Sequence, residues 1–389
     1  MLTNDLSTYL AGHLDGYLDD LRLLSGIDCG THNKAGVDRV GAWVLARCAA
    51  NGWATRVHPR PKGGDIVEAT IRDEGSRRLL LLAHMDTVYP DGVAAARPVR
   101  IDGDTLLGPG TADMKAGLLA GIHALEALQA VGRLPFGEVV YLFTADEETG
   151  SVESRSLIEE TARACDAALV LEAARASGAI VGARKGVWEY ELRVQGRSAH
   201  AGVEPEKGRN ALLELAHKIV ALQGLNGEIP AVTVNVGVAS GGTATNVVPD
   251  AAIAHVEARA FDPEGLRAID ARIRAIAAIP TVPDTTIELS VRKGFPPMPR
   301  TAATEQLAAM AASIAAELGF SLEAVSTGGA SDASLVAGAG VPVVDGLGPI
   351  GGDDHSPREW IAISSIVPRV ALLASLIARV STEGVLVGG

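Results

Sequence analysis

The sequence predicts an α/β fold with a βαββαβ module inserted into it. Four short, continuous apolar runs have the length and composition of strands buried on both faces, as in a parallel sheet between helices. Between residues 186 and 293 the strand and helix signals instead follow the order β-α-β-β-α-β, which is that of a ferredoxin-like split βαβ unit. We therefore divide the chain into a first domain of residues 1–184 and 295–389 and an inserted domain of residues 185–294.

The elements of the first domain follow from their apolar spacing. A 3-4 spacing predicts helices over residues 6–24, 36–51 and 114–131. The continuous apolar runs predict buried strands over residues 79–83, 139–143, 167–171 and 341–344.

The inserted domain shows weaker, alternating patterns. We predict its elements, in chain order, as a strand at 187–194, a helix at 210–222, strands at 231–238 and 247–261, a helix at 264–277 and a strand at 285–291.

The composition argues against several classes of protein. With 34 Lys+Arg against 47 Asp+Glu the net charge is −13, which disfavours nucleic acid or an anionic membrane as the main partner. No run of about 18 uncharged apolar residues predicts a membrane span, and the acidic first helix does not resemble a secretory signal. Three widely spaced cysteines do not suggest a disulfide framework, so we expect a reducing cytoplasm.

Three of the predicted strands end in residues that can bind metal. The first is followed by His84 and Asp86, the second by Glu147 and Glu148, and the third by Glu172. Because sites in open α/β sheets form at the carboxyl ends of the strands, we expect these side chains to lie close together.

Each motif also has a plainer interpretation. His84 and Asp86 are two residues apart, so in an extended chain they share a face, either as a metal-bound histidine with its supporting carboxylate or as a buried hydrogen-bonded pair. Neighbouring Glu147 and Glu148 point to opposite sides. One can bind metal while the other acts as a general base, although the pair alone favours a solvated acidic loop.

Two glycine-containing loops supply further candidates. Asp113 follows Gly108-Pro109-Gly110 and precedes a helix, where it either caps the helix or bridges two cations. His355 lies in the loop 351–357, and a lone histidine in a loop is usually an ordinary polar residue exposed to solvent. Together the candidates offer three carboxylates and two neutral imidazoles. The three negative charges, with that of a hydroxide, balance the charge of two divalent cations. Glu147 is then not needed as a ligand and remains available as the base. Such ligands without sulfur suit catalytic zinc, cobalt or manganese.

These motifs, taken together, resemble metallopeptidase family 20. This group includes glutamate carboxypeptidase, aminoacylases and succinyl-diaminopimelate desuccinylase, and the chain is most similar to the glutamate carboxypeptidase-like branch. The motifs occur in the family order through nearly the whole chain. They are His84-Met85-Asp86-Thr87-Val88, Asp113-Met114-Lys115-Ala116-Gly117, Asp146-Glu147-Glu148-Thr149-Gly150, Ser198-Ala199-His200-Ala201-Gly202 and Asp354-His355-Ser356.

The resemblance implies a zinc-peptidase-like catalytic domain that binds two zinc ions, with Co²⁺ or Mn²⁺ as alternatives. Asp113 would bridge the ions, and the peptide bond after it would be cis. The remaining ligands would form two pairs, His84 with Glu172 and Glu148 with His355.

The catalytic roles are likewise implied by the resemblance. Glu147 would be the general base, and Asp86 would orient His84. The inserted domain would be a lid that mediates a homodimer, from which His200 would stabilise the oxyanion.

The implied substrate is a small peptide or an N-acyl amino acid, cleaved at the amide before its C-terminal residue. Asn246 and Arg259 match lid residues that bind its carboxylate, and Gly329 matches a substrate-side loop. Residues 177–182 are small and apolar, whereas glutamate-specific relatives place polar or basic residues there. Arg292 or Arg184 would have to compensate for that departure.

Two other functions compete with this one. A serine hydrolase would use Ser331, in the degenerate elbow of residues 329–333, with Asp353 and His355, but it leaves the other metal-ligand candidates unexplained. A non-catalytic ligand-binding relative would be expected to lack Glu147 or a ligand, and all of them are present.

Overall fold

The computed structural model of the protein describes residues 2–385. Within that range the chain forms two compact units. Unit 1 comprises the residues up to Ala183, Arg300–Ser326 and the residues from Ser331 onward, and unit 2 comprises Arg184–Pro299 with Thr327–Ala330. The inserted domain predicted at 185–294 falls inside unit 2. Residues 386–389 of the predicted first domain lie outside the described range.

A six-stranded mixed sheet forms the centre of unit 1. Its four parallel neighbours coincide with or lie within the four predicted apolar runs, allowing for a few residues at their ends, and their continuous burial explains why those runs carry almost no polar residues. The two remaining strands pair antiparallel at one edge. In spatial order the strands are Ala54–His58, Ile66–Arg72, Glu138–Thr144, Arg78–His84, Ala167–Val170 and Val343–Val344.

Nine α-helices belong to unit 1 in the described part of the chain. The predicted helix over 6–24 is in fact two helices, because the chain turns at Gly12 and His13. Distorted turns occupy Thr111–Lys115 and Glu147–Thr149. The nine α-helices are Leu2–Ala11, Leu14–Ser25, Lys34–Ala50, Val93–Ala96, Ala116–Ala130, Arg155–Arg163, Ala302–Glu317, Asp332–Gly338 and Ile363–Glu383.

The last helix bears on the prediction that the chain has no membrane span. Ile363–Glu383 is long and apolar enough to cross a membrane by length and composition alone. However, 72% of its apolar window is buried inside the protein. Its buried residues include Arg369, which donates to backbone carbonyls. The helix is therefore a core element here, and its hydropathy reflects that burial.

Two smaller sheets support the loops of unit 1. A four-stranded antiparallel sheet contains, in order, Gly351–Gly352, Trp360–Ala362, Thr105–Leu107 and Arg100–Asp102. It brings the loop after Leu107 beside the loop before Trp360, where Gly108 N–H donates to the carbonyl of Glu359 at 3.3 Å. The second sheet pairs Ile180–Arg184 with Ala324–Thr327.

Unit 2 has the predicted βαββαβ order. Alternate strand residues, such as Tyr190, Leu192 and Val256, pack in one core with Leu266 and Ile269 of a helix, so the other face of the sheet carries the polar residues. The antiparallel sheet has the spatial order Thr233–Gly241, Ala251–Ala260, Gly186–Gln195 and Thr286–Lys293. The helices are Ala211–Gln223 and Pro263–Ala278, with a short turn at Pro205–Lys207.

Candidate metal centre

Two groups of histidine and carboxylate side chains converge in unit 1, and they share Asp113. One group contains His84, Asp113 and Glu172, and the other contains Asp113, Glu148 and His355. In the first, Nε2 of His84 lies 2.9 Å from Oδ1 of Asp113 and 3.8 Å from Oε1 of Glu172. In the second, Nε2 of His355 lies 3.0 Å from Oδ2 of Asp113 and 3.2 Å from Oε2 of Glu148. The five predicted metal ligands therefore lie together.

The His84 ring is fixed by Asp86. His84 ends the strand Arg78–His84, and its Nδ1 lies 3.0 Å from the backbone carbonyl of Asp86 and 3.4 Å from the carboxylate Oδ1. The sequence predicts that the Asp86 carboxylate contacts the His84 ring. Both Asp86 groups lie near Nδ1, and the backbone carbonyl is the nearer acceptor. A hydrogen bond at Nδ1 leaves Nε2 free to face the shared Asp113.

The Asp86 carboxylate is buried and serves the neighbouring acidic turn. It accepts the hydroxyl of Thr31 at 2.6 Å and the backbone N–H groups of Glu147 and Glu148, each at 3.3 Å. One carboxylate thus ties the loop after the His84 strand to the turn that carries both glutamates. The sequence patterns did not indicate Thr31 as part of this network.

Asp113 does not cap a helix. Its backbone is non-helical (φ −114°, ψ 94°), and its carboxylate faces the two histidines. The peptide bond to Met114 is cis, as the resemblance implied. Hydrogen bonds from both imidazoles keep the pKa of the Asp113 carboxyl well below its usual range, although burial acts in the opposite direction.

A buried carboxylate, Glu359, supports the Asp113 loop. Its Oε1 accepts the backbone N–H groups of Ala112 and Asp113 at 2.8 and 2.9 Å. Its Oε2 accepts Gly110 N–H at 2.8 Å and the Tyr89 hydroxyl at 2.7 Å. Sequence reasoning missed Glu359, because a glutamate two residues after a loop proline gives no sign that it will be buried.

The adjacent glutamates have different surroundings. Glu148 belongs to the second ligand group, and its Oε1 is buried without a hydrogen-bond partner among the described residues. Glu147 belongs to neither group. Burial, with Glu172 and Asp332 nearby, raises the pKa of Glu147 well above its ordinary value. The turn is therefore not simply a solvated acidic loop.

The surroundings favour a cation. Three carboxylates converge on two imidazoles, and hydrogen bonds to Asp113 and Glu148 raise the pKa of His355 to about 10. A buried, unpartnered carboxylate oxygen on Glu148 needs a positive partner. Imidazole nitrogens and carboxylate oxygens without sulfur are a donor set that zinc, cobalt and manganese accept. The residues present thus fit divalent metal.

A cavity of about 590 Å³ adjoins this cluster within unit 1. Glu148 and Thr149 form one wall, and Tyr89 belongs to another. Two segments that include residues the motifs did not indicate, 30–34 and 87–91, form the rest of the lining. The cavity is large enough for a small ligand beside the candidate metal centre.

Two of the predicted residues of unit 2 lie on neighbouring loops. His200 forms an isolated bridge with Val247, and Ala201 N–H donates to the carbonyl of Asn246 at 2.9 Å. Nδ1 of His200 accepts Gly202 N–H at 3.2 Å, and both His200 and Asn246 are exposed. Their side chains are thus available to a ligand or a partner chain.

The predicted arginines of unit 2 are all engaged. Arg259 donates to Glu257 and to the carbonyl of Gly328, and Arg184 donates to the carbonyl of Gly329 at 3.1 Å. The loop of Gly328 and Gly329 is therefore held by two arginines. Arg292 pairs with Glu189 at 2.7 Å on the polar face of the sheet, and its role toward substrate stays a prediction.

Ser331 has no catalytic partners in the described part of the chain. Its hydroxyl is buried, donates to Asp345 at 2.6 Å and accepts Ala333 N–H, so that it caps the helix Asp332–Gly338. The histidine of the proposed triad, His355, is instead bonded to Asp113 and Glu148. The serine-hydrolase arrangement does not form.

Known proteins are similar to this chain both in sequence and in fold. The chain is 31% identical to carboxypeptidase G2 of Pseudomonas sp. (strain RS-16), over 92% of this chain and 87% of the relative. It is 29% identical to succinyl-diaminopimelate desuccinylase of Bordetella petrii, over 78% and 83% of the two chains. Among solved structures, a tripeptidase from Staphylococcus aureus superposes with a TM-score of 0.81 at 25% identity, covering 95% and 98% of the two chains.

The family model described as peptidase family M20/M25/M40 matches residues 80–379, which include all five candidate metal ligands. The chain belongs to peptidase family M20/M25/M40.

Proposed function

We propose that the protein is a two-metal hydrolase that cleaves the amide bond before a C-terminal amino acid, in a small peptide or an N-acyl amino acid. The observation that carries this proposal is the sharing of Asp113, whose two oxygens face His84 and His355 separately. A carboxylate placed in this way suits a bridge between two cations. The similarity to a relative named as a carboxypeptidase supports the reaction class.

The residues divide into ligands and a base. His84 and Glu172 would hold one ion, Glu148 and His355 the other, with Asp113 between them. Two bound divalent ions, most simply zinc, supply an activated water and polarise the scissile carbonyl. Glu147, which lies outside both ligand groups, takes the proton of the attacking water and delivers it to the leaving amine.

Residues of unit 2 are proposed to recognise the substrate. Arg259 and Asn246 bind its α-carboxylate, and His200 donates to the developing oxyanion. The stretch predicted as a departure, residues 177–182, contains the buried Ala179 and Ile180 and offers no cation. We therefore propose a neutral or broadly variable side chain on the released amino acid, rather than a strict preference for glutamate.

The test compares an N-acyl amino acid with its C-terminal amide, in the wild type and in Arg259→Ala with added zinc. The wild type should prefer the free acid, because the amide loses charged hydrogen bonds to Arg259, each worth about 1.5–3 kcal/mol. Arg259→Ala should lose that preference, and EDTA should stop turnover in both. Equal cleavage of acid and amide, or a preference for a free α-amine with a blocked C-terminus, would instead favour an aminopeptidase-like relative.

We also propose that the protein is a cytoplasmic homodimer joined through unit 2. The strand Thr233–Gly241 is an edge of its sheet, and apolar side chains are exposed on and near it. Val220 is 74% exposed and Val238 is 57% exposed. A self-complementary contact that covers these side chains and the free strand edge would explain their exposure.

A further inference from the structure

Arg259 is held in one orientation by a carboxylate on its own strand. Glu257 and Arg259 are two residues apart in the strand Ala251–Ala260, so both lie on the polar face of the sheet of unit 2. Nε of Arg259 lies 3.0 Å from Oε1 of Glu257, and Nη2 lies 2.9 Å from Oε2. This is a bidentate pair along one edge of the guanidinium. A third bond, from Nη1 to the carbonyl of Gly328 at 2.8 Å, fixes the opposite side.

Counting donors shows which part of the guanidinium remains available. An arginine side chain has five N–H donors in a planar fork. The bonds to Glu257 and Gly328 use three of them, one on each nitrogen. One N–H is left on Nη1 and one on Nη2. These two nitrogens form the end of the fork, whose geometry matches the two oxygens of a carboxylate.

We propose that Glu257 is a positioning residue, which orients Arg259 so that the end of its guanidinium binds the α-carboxylate of the substrate. This inference rests on the proposed function, in which Arg259 recognises that carboxylate. Because Glu257 also neutralises the charge of Arg259, the non-specific electrostatic attraction between Arg259 and anions is weakened. Binding then depends on a carboxylate that matches the orientation of the two free N–H groups.

The same sheet offers a matched control. Glu191 and Arg193 repeat the Glu-x-Arg spacing on the neighbouring strand Gly186–Gln195, with Nε of Arg193 2.6 Å from Oε1 of Glu191. Their strand lies directly beside that of Glu257, and both pairs face the same side of the sheet. Glu191→Gln therefore makes the same chemical change on the same face without touching Arg259.

The experiment measures kcat and KM for the best substrate from a panel of N-acetylated amino acids and for its C-terminal amide. In Glu257→Gln we expect KM for the free acid to rise about tenfold, because a charged hydrogen-bond partner is lost. We expect kcat to stay within about twofold and KM for the amide to stay unchanged. Glu257→Asp should recover part of the acid preference, and Glu191→Gln should behave as the wild type.

The outcomes separate this inference from the proposed function. If Arg259→Ala abolishes the acid preference while Glu257→Gln leaves it intact, Arg259 keeps its role and the positioning role of Glu257 is overturned. A lower KM for the acid in Glu257→Gln would also overturn it, since Glu257 would then be competing with substrate for Arg259. If the wild type shows no acid preference, the proposed function and this inference fail together. Metal content and thermal unfolding of each variant are measured alongside, and both should match the wild type.

Discussion

Glu359 lies directly behind Asp113: its Oε1 accepts the backbone N–H of Asp113 at 2.9 Å, while the Asp113 carboxylate faces His84 and His355. A buried acid that no motif indicated therefore fixes the backbone of the residue shared by both ligand groups. Such supporting contacts are as much a part of a metal site as the ligands themselves.

We predict that Glu359→Gln weakens metal binding by about 10- to 100-fold, because an amide cannot accept at both ends of its side chain. Metal affinity, measured by competition with a chromogenic chelator, checks this. Tyr89→Phe is the control, since it removes one of the four donors to Glu359 and leaves the three backbone bonds in place. Equal metal affinity in Glu359→Gln and the wild type would contradict the supporting role.

We predict that Asp113→Ala loses both metals, because a bridging ligand serves each of them. Elemental analysis of the purified wild type should give about two metals per chain. The variant should retain much less than one. If Asp113→Ala keeps one tightly bound ion, Asp113 serves only one of the two ligand groups.

We predict that Glu147→Gln keeps its metals and loses at least about 10²–10⁴-fold in kcat, which is the usual contribution of a general base. Its neighbour provides the contrast. Glu148→Gln should lose metal, because Glu148 belongs to a ligand group and Glu147 does not. Wild-type turnover in Glu147→Gln would assign the base to another residue.

We predict that the stability of Asp332→Asn, relative to the wild type, increases as the pH rises from about 4 to 6. Burial raises the pKa of the Asp332 carboxyl from 3.8 to about 6, with the hydroxyls of Ser151 and Thr144 as its partners. The folded state therefore binds this proton more tightly than the unfolded state does. The resulting stabilisation of the wild type is complete at a pH below the pKa of the unfolded state, and it is lost as the pH rises through about 6. Urea unfolding of both proteins at several pH values checks the sign, and a constant difference would refute it.

We predict a dimer whose mass is close to twice 40.1 kDa. Light scattering measures it, and Val220→Glu should shift the population toward monomer, because it places a charge where an apolar side chain is 74% exposed. Exposed Val203 lies outside the helix and the edge strand, so Val203→Glu is the control. A wild type that is monomeric at assay concentration and fully active would remove the proposed dimer.

The ligands could be predicted from the sequence because His84, Glu148 and Glu172 follow buried strands, and the motifs around Asp113 and His355 resemble those of one family. Continuous apolar runs mark parallel strands, and the residues just after them must meet at one sheet edge, as His84 and Glu172 do. The strand Ala54–His58 was missed because it is a mostly exposed edge strand without an apolar pattern. The break at Gly12 was missed because the apolar spacing continues across it.

The supporting contacts could not be predicted for a different reason. Thr31 donates to Asp86 across 55 residues of sequence, and Glu359 reaches Asp113 across 246. Contacts of this kind depend on tertiary packing, and neither residue has a local pattern that distinguishes it from a surface polar residue. The notion that Asp113 caps a helix failed in the same way, because only the folded loop shows where its carboxylate points.

The sharing of Asp113 also has a consequence for the order of events during synthesis. His355 follows Asp113 by 242 residues, and Glu359, which holds the backbone of Asp113, follows it by 246. Both ligand groups therefore depend on a segment that is translated long after Asp113. A nascent chain that has not yet reached Glu359 lacks the second ligand group and the support of the Asp113 loop, so we expect the metal centre to form only after that segment has been made.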